Sequence, residues 1–176
     1  ADIAIDIYAM DKKINEFERD VRRKVMTHLV VSGKEDLGSG LILVSVVIDI
    51  ERIGDYTKNI YDLAVEHPQR LSAGSYEDQL SNIEGATTEF LNEAIEVFKN
   101  QDIENARKLM ANYKTDISST SSDIVNGIVS GKNNEFTPEK AGALCLYARY
   151  LKRIAAHSRN LVSSIVNPFE RIGYPE

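Results

Sequence analysis

The residues of this sequence with the clearest chemical potential are two carboxylates four positions apart, Glu51 and Asp55 in the string ERIGD. On a helix, this spacing places both side chains on one face, about one turn apart. Asp11 and Asn15 in DKKIN have the same spacing. If the two helices are antiparallel neighbours, four oxygen-bearing side chains can meet. Such oxygens suit a hard or borderline cation.

A plainer interpretation is that these carboxylates are solvated and paired with nearby cations, the candidates being Lys12, Lys13, Arg52 and Lys58. Acidic residues at four-residue spacing are common on helix surfaces. The apolar run that precedes Glu51 favours a functional role, because it places the pair at the end of a helix that is apolar nearly all round. Both interpretations stay open at this point.

The histidines and the single cysteine offer less chemistry. His28, His67 and His157 are scattered along the chain and are expected to be surface or boundary residues. Cys145 lies in AGALCLYARYL and is expected to be a buried, inert thiol. A metal-dependent hydrolase or oxidase in a helical bundle would need a general base near the metal. These histidines supply no credible base, so we predict that the chain is not an enzyme.

Charge and hydropathy narrow the classes of partner. The 176 residues include 27 acidic and 21 basic side chains, a formal charge of −6, which disfavours nucleic acid as a partner. The most apolar run, residues 41–50, has about half the length needed to span a bilayer, so no membrane insertion is expected. The first residues lack the features of a signal peptide. A cytoplasmic location follows as the expectation.

The spacing of apolar residues predicts an all-α protein. Apolar side chains recur three and four positions apart, and the four prolines fall where this pattern stops. Asp102 is a candidate N-cap, and Thr137 followed by Pro138 is a strong helix start. Short connections make neighbouring helices antiparallel. The predicted helices cover about 2–30, 41–66, 75–99, 102–129 and 137–166.

An internal repeat divides the chain. A shift of 101 positions lays IERIGDYTKNIYDL (50–63) on LKRIAAHSRNLVSS (151–164), and it also lays MDKKIN (10–15) on ANYKTD (111–116). One offset that serves two helices indicates duplication. We therefore predict a first repeat of two helices over 1–70 and a second repeat of three helices over 71–176. The first repeat has no counterpart of the helix over 75–99.

The string DLGSGLILVSVVIDIERIGDYTKNI (36–60) resembles the signature of the PhoU family of phosphate-signalling regulators. DKKIN and YLKRIAAHSRNL occupy the places of two further family motifs, so the resemblance covers essentially the whole chain. It implies tandem three-helix bundles, here with the first bundle lacking one helix. It also implies iron or zinc clusters on the acidic motifs, and partnership with a phosphate transporter and its sensor kinase.

From this resemblance we expect a regulatory adaptor in phosphate uptake and phosphate-starvation signalling that acts by protein contacts. The alternative is the cytoplasmic PhoU-like domain of a sodium/phosphate cotransporter or another membrane transporter. Large exposed apolar patches are rare in monomers. The apolar stripes of the two-helix repeat are therefore expected to be covered by another chain or another segment, and a homodimer is one such assembly.

The second repeat departs from the family pattern. At the positions equivalent to Glu51 and Asp55 it has Lys152 and Ala156, and Asn112 replaces the carboxylate equivalent to Asp11, so that only Asp116 remains. An ammonium repels a cation and offers it no lone pair. We therefore expect iron, zinc or another divalent metal, if bound, at the first repeat only, on Asp11, Asn15, Glu51 and Asp55.

Overall fold

All regular structure in the described residues is helical, which confirms the predicted all-α class. The computed structural model describes residues 5–67 and 69–175. The helices are α1 (Ile7–Ser32), α2 (Leu37–Glu66), α3 (Glu77–Asn100), α4 (Ile103–Tyr113), α5 (Ser119–Val129) and α6 (Pro138–Val166). Short 3-10 turns precede α3 (Gly74–Tyr76) and follow α6 (Phe169–Arg171). Within the described ranges, no helix is long and apolar enough to cross a membrane.

α1 and α2 form a hairpin whose turn is shorter than predicted. α2 begins at Leu37, so the expected start at residue 41 is wrong. Gly38 and Gly40 therefore lie inside α2, whereas Gly33 ends α1 with a φ of 75°. At Gly40, an added Cβ would lie 3.0 Å from Leu29 and 3.1 Å from Val25 on α1. This glycine therefore allows α1 and α2 to approach closely. Its presence in the sequence reflects close helix packing and not a flexible loop.

The predicted helix over 102–129 is interrupted. A π turn (Lys114–Ser118) separates α4 from α5, and the Ser119 hydroxyl donates to the Lys114 carbonyl at 2.9 Å. The predicted cap at its start is confirmed, because the Asp102 carboxylate accepts from the Asn105 amide. Nothing in the hydrophobic spacing distinguished this turn from regular α-helix.

The start of α6 is also as predicted. Pro138 lies in the first turn, and the Thr137 hydroxyl accepts from the Lys140 amide. α6 ends at Val166, and the expected end was at about this residue. The Thr-Pro-Glu signal is local, since it depends on the capping hydroxyl and on the fixed φ of proline, so the sequence alone placed it correctly.

The main core lies in the second repeat. α3, α4, α5 and α6 enclose two apolar clusters, one at each end of the bundle. The first cluster comprises Phe90, Ala94, Val97, Ala106, Leu109, Tyr113, Ile117, Ala155 and Val162. The second comprises Ala73, Leu80, Ile83, Ile124, Leu144, Ala148 and Leu151. The second repeat is thus a closed three-helix bundle, with α4 and α5 acting as one bent helix.

The first repeat is open by comparison. α2 packs on both α1 and α6, but α1 buries a single side chain, Val25. Many of its other large apolar side chains are exposed, namely Tyr8, Met10, Phe17, Met26, Val30 and Val31. The division of the chain at residue 70 stays a prediction, since α2 also lies along α6 of the other repeat.

A buried polar network joins α2 to α6. Asp49 Oδ1 accepts from His157 Nδ1 at 2.7 Å and from Asn160 Nδ2 at 2.9 Å. Arg153 Nη2 lies 2.8 Å from His157 Nε2. Because a guanidinium can only donate, Nε2 accepts and the imidazole proton is on Nδ1. The expectation that His157 is a surface or boundary residue was therefore wrong.

Cys145 is half-buried, whereas the sequence predicted a buried residue. Burial still raises the pKa of its thiol, so the expectation of low reactivity fits its surroundings. Its neighbour Leu144 is completely buried. Only one side of α6 faces the core in the apolar segment around Cys145.

Candidate functional site

The predicted acidic residues lie on the facing sides of α1 and α2, where Lys58 connects them. The Lys58 ammonium donates to Asp11 Oδ1 at 2.8 Å and lies 3.5 Å from Asp55 Oδ1. Asn15 Nδ2 donates to the Asp11 carbonyl at 3.0 Å and lies 3.4 Å from its carboxylate. We call the set formed by Asp11, Asn15, Glu51 and Asp55 the acidic cluster.

Arg52 provides the second cation of this site. Its Nη1 lies 3.1 Å from Asp55 Oδ2, and its Nε lies 3.5 Å from Glu51 Oε2. Asp55 is therefore held between Arg52 and Lys58. Of the four cations that the sequence offered as partners, these are the two that contact the acidic cluster. The plainer interpretation, carboxylates paired with cations, describes the arrangement in the structure.

The acidic cluster is partly desolvated, and this changes the titration of Glu51. Burial raises the pKa of the Glu51 carboxyl, and the nearby carboxylates of Asp55 and Glu18 add to the rise, while Arg52 opposes it. The hydrogen bond to Asp11 raises the pKa of Lys58 despite its partial burial. Lys58 is therefore a firmly held positive charge, whereas the surroundings of Glu51 disfavour its negative charge.

The side chains as they stand do not fit a bound metal. In the part of the chain that the structure describes, no three His, Cys, Asp or Glu side chains are grouped so that they could hold an ion. The Lys58 ammonium takes the position between Asp11 and Asp55 that a cation would need. A metal could bind to these carboxylates only by displacing Lys58, so the metal prediction stays a prediction.

The second repeat has the opposite charge at the equivalent place. Lys152, which corresponds to Glu51, donates to the Ser122 hydroxyl at 2.7 Å. Burial lowers the pKa of Lys152, and the positive charges of Arg149 and Arg153 lower it further. The remaining carboxylate, Asp116, accepts from the Thr115 hydroxyl on the π turn. A partly buried ammonium near two guanidinium groups is a poor place for a metal ion.

An apolar groove of about 610 Å³ runs beside the acidic cluster, and Asp11 lies on its rim. We call it the α2 groove, since α2 forms its floor while α1 and α3 form its sides. The apolar residues that line it are Ile7, Met10, Ile14, Ile50, Ile53, Leu91, Ile95, Phe98 and Leu161. Exposed apolar surface of this kind is typical of protein interaction sites.

Sequence reasoning offered Lys58 as a candidate partner but missed its bridge to Asp11, and it missed both Asp49 and the α2 groove. Lys58 follows Asp55 by three positions and so shares its helix face, a spacing that could have revealed the bridge to Asp11. Asp49 is the only charged residue in the run 41–50, which indicates a buried, partnered carboxylate. The α2 groove gave no such signal, because one of its sides comes from the other repeat.

Comparison with known proteins identifies one family. A family model described as the PhoU domain matches residues 1–64 and 80–165. The two matched segments lie on either side of the connection between α2 and α3. No curated protein and no solved structure matched the chain.

Proposed function

Because the chain belongs to the PhoU domain family, we propose that it is a regulatory adaptor in phosphate uptake and phosphate-starvation signalling. The family supports a phosphate-related regulatory role in general. The proposal adds that the chain acts through protein contacts and not through catalysis. By family resemblance, its partners are phosphate transporter components and a sensor kinase. A cytoplasmic location stays a prediction that agrees with such partners.

The observation that carries the proposal is the open apolar side of the first repeat. The second repeat closes its core with three helices, but α1 and α2 leave the α2 groove uncovered. Apolar side chains removed from water stabilise a contact by roughly 25 cal/mol per Å². A groove of this kind therefore gives a partner protein a favourable place to bind.

The polar network at the α2–α6 interface also supports a role without catalysis. Asp49 and His157 form a pair that resembles the base and its orienting group in many enzymes. Here, however, Nε2 of His157 already accepts from Arg153, and the ring stacks on Tyr56. The imidazole thus has no lone pair available to a substrate. This arrangement suits a structural link between helices.

We further propose that the acidic cluster is balanced by Lys58 and Arg52, and that any divalent metal bound by this chain binds there. The first repeat has carboxylates at Asp11, Glu51 and Asp55, whereas the second repeat has Asn112, Lys152 and Ala156 at the equivalent positions. A metal would strengthen the contact between α1 and α2 without taking part in a reaction. This part of the proposal rests on charge and on the family resemblance.

The proposed function is tested by removing the gene in the source organism and measuring a phosphate-starvation reporter in phosphate-rich medium. We expect the reporter to be switched on without the protein, and to be switched off again when the chain is supplied from a plasmid. Reporter activity that stays low in the deletion strain would contradict a role in restraining this response.

A further inference from the structure

The second repeat keeps the cations of the acidic cluster but not its acids. The repeat offset of 101 places Arg153 at the position of Arg52 and Arg159 at the position of Lys58. The three carboxylates of the cluster correspond to residues without negative charge: Asn112, Lys152 and Ala156. Positive charge is therefore retained at this place in the second repeat, while the negative charge that balances it in the first repeat is lost.

Three basic side chains lie together on the outer face of α6. Lys152 and Arg153 follow Arg149 by three and four positions, which is the spacing of neighbours on a helix surface. Arg149 is exposed, whereas the other two are half-buried. Like charges at this spacing destabilise a helix unless an anion offsets them. We call Arg149, Lys152 and Arg153 the basic cluster.

The ammonium of Lys152 has donors to spare. It donates to Ser122 Oγ of α5 at 2.7 Å, and that hydroxyl in turn donates to the Ser118 carbonyl at 2.9 Å. Since an ammonium has three N–H donors, two remain for another acceptor. The groups that lower the pKa of Lys152 are burial and the two neighbouring arginines, and no carboxylate acts against them. Lys152 is thus a half-buried charge without a counterion among the described residues.

The two arginines also lack an acidic partner in the part of the chain that the structure describes. Arg153 donates from Nε to the Tyr56 hydroxyl at 3.3 Å and from Nη2 to His157 Nε2 at 2.8 Å. These contacts hold the guanidinium in place without neutralising it, because the Asp49 carboxylate lies on the other side of the imidazole. Arg149 forms no ion pair with a described side chain.

The donors of the basic cluster match an oxyanion. The guanidinium of Arg149 presents a planar fork of N–H groups that suits two oxygens of one anion, and the free N–H groups of Lys152 suit a third. Three positive charges on one helix face attract a doubly charged anion more strongly than a singly charged one. Ala156 lies on the same face and has only a methyl group, so it offers no competing charge.

We propose that the basic cluster binds a phosphoryl group with two negative charges, either as free phosphate or as a phosphomonoester. Arg149 and Lys152 donate to its oxygens, and Arg153 adds a third positive charge from a fixed position. The binding of a dianion rests on the basic cluster alone. The choice of phosphate among tetrahedral dianions rests on the proposed function, which it deepens by giving the chain a direct contact with the regulated anion.

The test follows the backbone amide signals of the whole chain by two-dimensional NMR while inorganic phosphate is added. The ionic strength is low and constant, because salt screens exposed charges. We expect saturable shifts of amides near Ser122 and Lys152, with a dissociation constant of about 1 mM or less. Sulfate, a dianion of the same shape, should bind similarly, whereas acetate should bind at least about tenfold more weakly.

Two pairs of substitutions assign the site. Arg149→Gln with Lys152→Gln should weaken phosphate binding about tenfold or more, since it removes both donors to the anion. Arg22→Gln with Lys24→Gln is the matched control, because it changes the net charge by the same amount but removes cations that already pair with carboxylates of α1. Arg149→Gln alone, at an exposed position, should weaken binding several-fold and provides a second measurement if the double variant does not fold.

The source of the phosphoryl group is distinguished with O-phosphoserine. An affinity equal to that of inorganic phosphate would identify free phosphate as the ligand, and an affinity about tenfold higher would identify a phosphorylated side chain. Three results would overturn the inference: no saturable shifts at roughly twenty times the expected dissociation constant, equal binding by the wild type and the basic-cluster variant, or equal affinity for acetate.

The two proposals can fail separately. Phosphate binding is measured with the purified chain and does not depend on any role in signalling. If phosphate fails to bind while the phosphate reporter still responds to the gene, the inference about the basic cluster fails and the proposed function stands. Binding in a chain whose deletion leaves the reporter unchanged would support the anion site and contradict the proposed function.

Discussion

Lys58 has the largest influence on the acidic cluster of any single residue, because its ammonium contacts both Asp11 on α1 and Asp55 on α2. The spacing of the carboxylates was predictable from the sequence. Whether a metal ion or a lysine neutralises them was not predictable, because this depends on where the flexible Lys58 side chain lies in the folded structure. A cation supplied by the chain itself also holds the α1–α2 hairpin together without any metal.

Replacing Lys58 by methionine tests this balance. The change removes the competing charge and leaves three carboxylates near one another, so we expect Zn²⁺ or Mn²⁺ to bind at least about tenfold more tightly than to the wild type. A like charge at this distance opposes binding by roughly 1 kcal/mol or more. Isothermal titration calorimetry measures the difference.

The controls for the metal prediction come from both repeats. In the Lys58→Met background, Glu51→Ala with Asp55→Ala should abolish the binding, whereas Asp116→Ala should leave it unchanged. If purified wild-type protein carries stoichiometric metal that survives the loss of Glu51 and Asp55, the site has been assigned to the wrong residues. Elemental analysis decides that case.

Glu51 provides a second prediction at this scale. Its pKa is raised in the folded state, so the folded chain binds this proton more tightly than the unfolded chain does. The contribution of Glu51 to stability is therefore most favourable below the ordinary glutamate pKa and is lost as the pH rises through the raised one. Glu51→Gln replaces the carboxyl group with a neutral amide, so this loss of stability with rising pH no longer occurs.

We expect Glu51→Gln to raise the free energy of unfolding at neutral pH by roughly a few tenths of a kcal/mol, and to flatten its dependence on pH in the acidic range. Urea denaturation across that range provides the measurement, with the exposed Glu89→Gln as the control. A Glu51→Gln variant that is less stable than the wild type at neutral pH would show that the carboxylate is stabilising.

At the scale of elements, helix positions were predictable to the extent that they depend on local signals. The Asp102 and Thr137 caps are local, and both were placed correctly. The start of α2 and the π turn between α4 and α5 depend on packing. Gly40 lies inside α2, where α1 packs closely against it. This close packing could not be predicted from the sequence alone.

The contact between α2 and α6 depends on Asp49, and this gives a third prediction. Asp49→Ala leaves the buried donor His157 Nδ1 and the half-buried donor Asn160 Nδ2 without their acceptor. We expect a loss of roughly 2–4 kcal/mol in the free energy of unfolding. Chemical denaturation monitored by circular dichroism measures it.

Two further variants show whether the lost stability comes from unpaired donors or from the loss of the whole network. Asp49→Asn keeps one acceptor oxygen and should lose less stability than Asp49→Ala. Asp49→Leu combined with His157→Leu removes both ends of the pair and should recover part of the loss, since an apolar pair leaves fewer unsatisfied groups. A single Asp49→Ala change without effect on stability would mean that the buried network is not stabilising.

At the scale of the whole molecule, the repeat found in the sequence agrees with the structure where both can be compared. α2 begins at Leu37 and α6 at Pro138, which differ by the same offset of 101 that aligns the motifs. The open side of the first repeat was expected from the presence of only two helices in residues 1–70 of the given sequence. The shape of the α2 groove was not expected, because α3 of the other repeat forms one of its sides.

This comparison of the repeats leads to the central claim, that the chain regulates by binding a protein segment in the α2 groove. Asp11 of the acidic cluster and Lys99 of α3 line the groove, so a partner there would contact both apolar and charged side chains. Interfaces of this kind commonly depend on a few apolar residues at their centre. Ile50 and Ile95 are the groove-lining residues on which we expect binding to depend most, because both are large, apolar and exposed.

The most direct test restores the deletion strain with variants of the chain and measures the phosphate-starvation reporter in phosphate-rich medium. We predict that Ile50→Asp with Ile95→Asp fails to switch the reporter off, although the protein is present at the wild-type level. Leu146, an exposed leucine of α6, does not line the groove, and Leu146→Asp should switch the reporter off as the wild type does. Full repression by the Ile50 and Ile95 variant would contradict the claim that regulation requires a protein contact at the α2 groove.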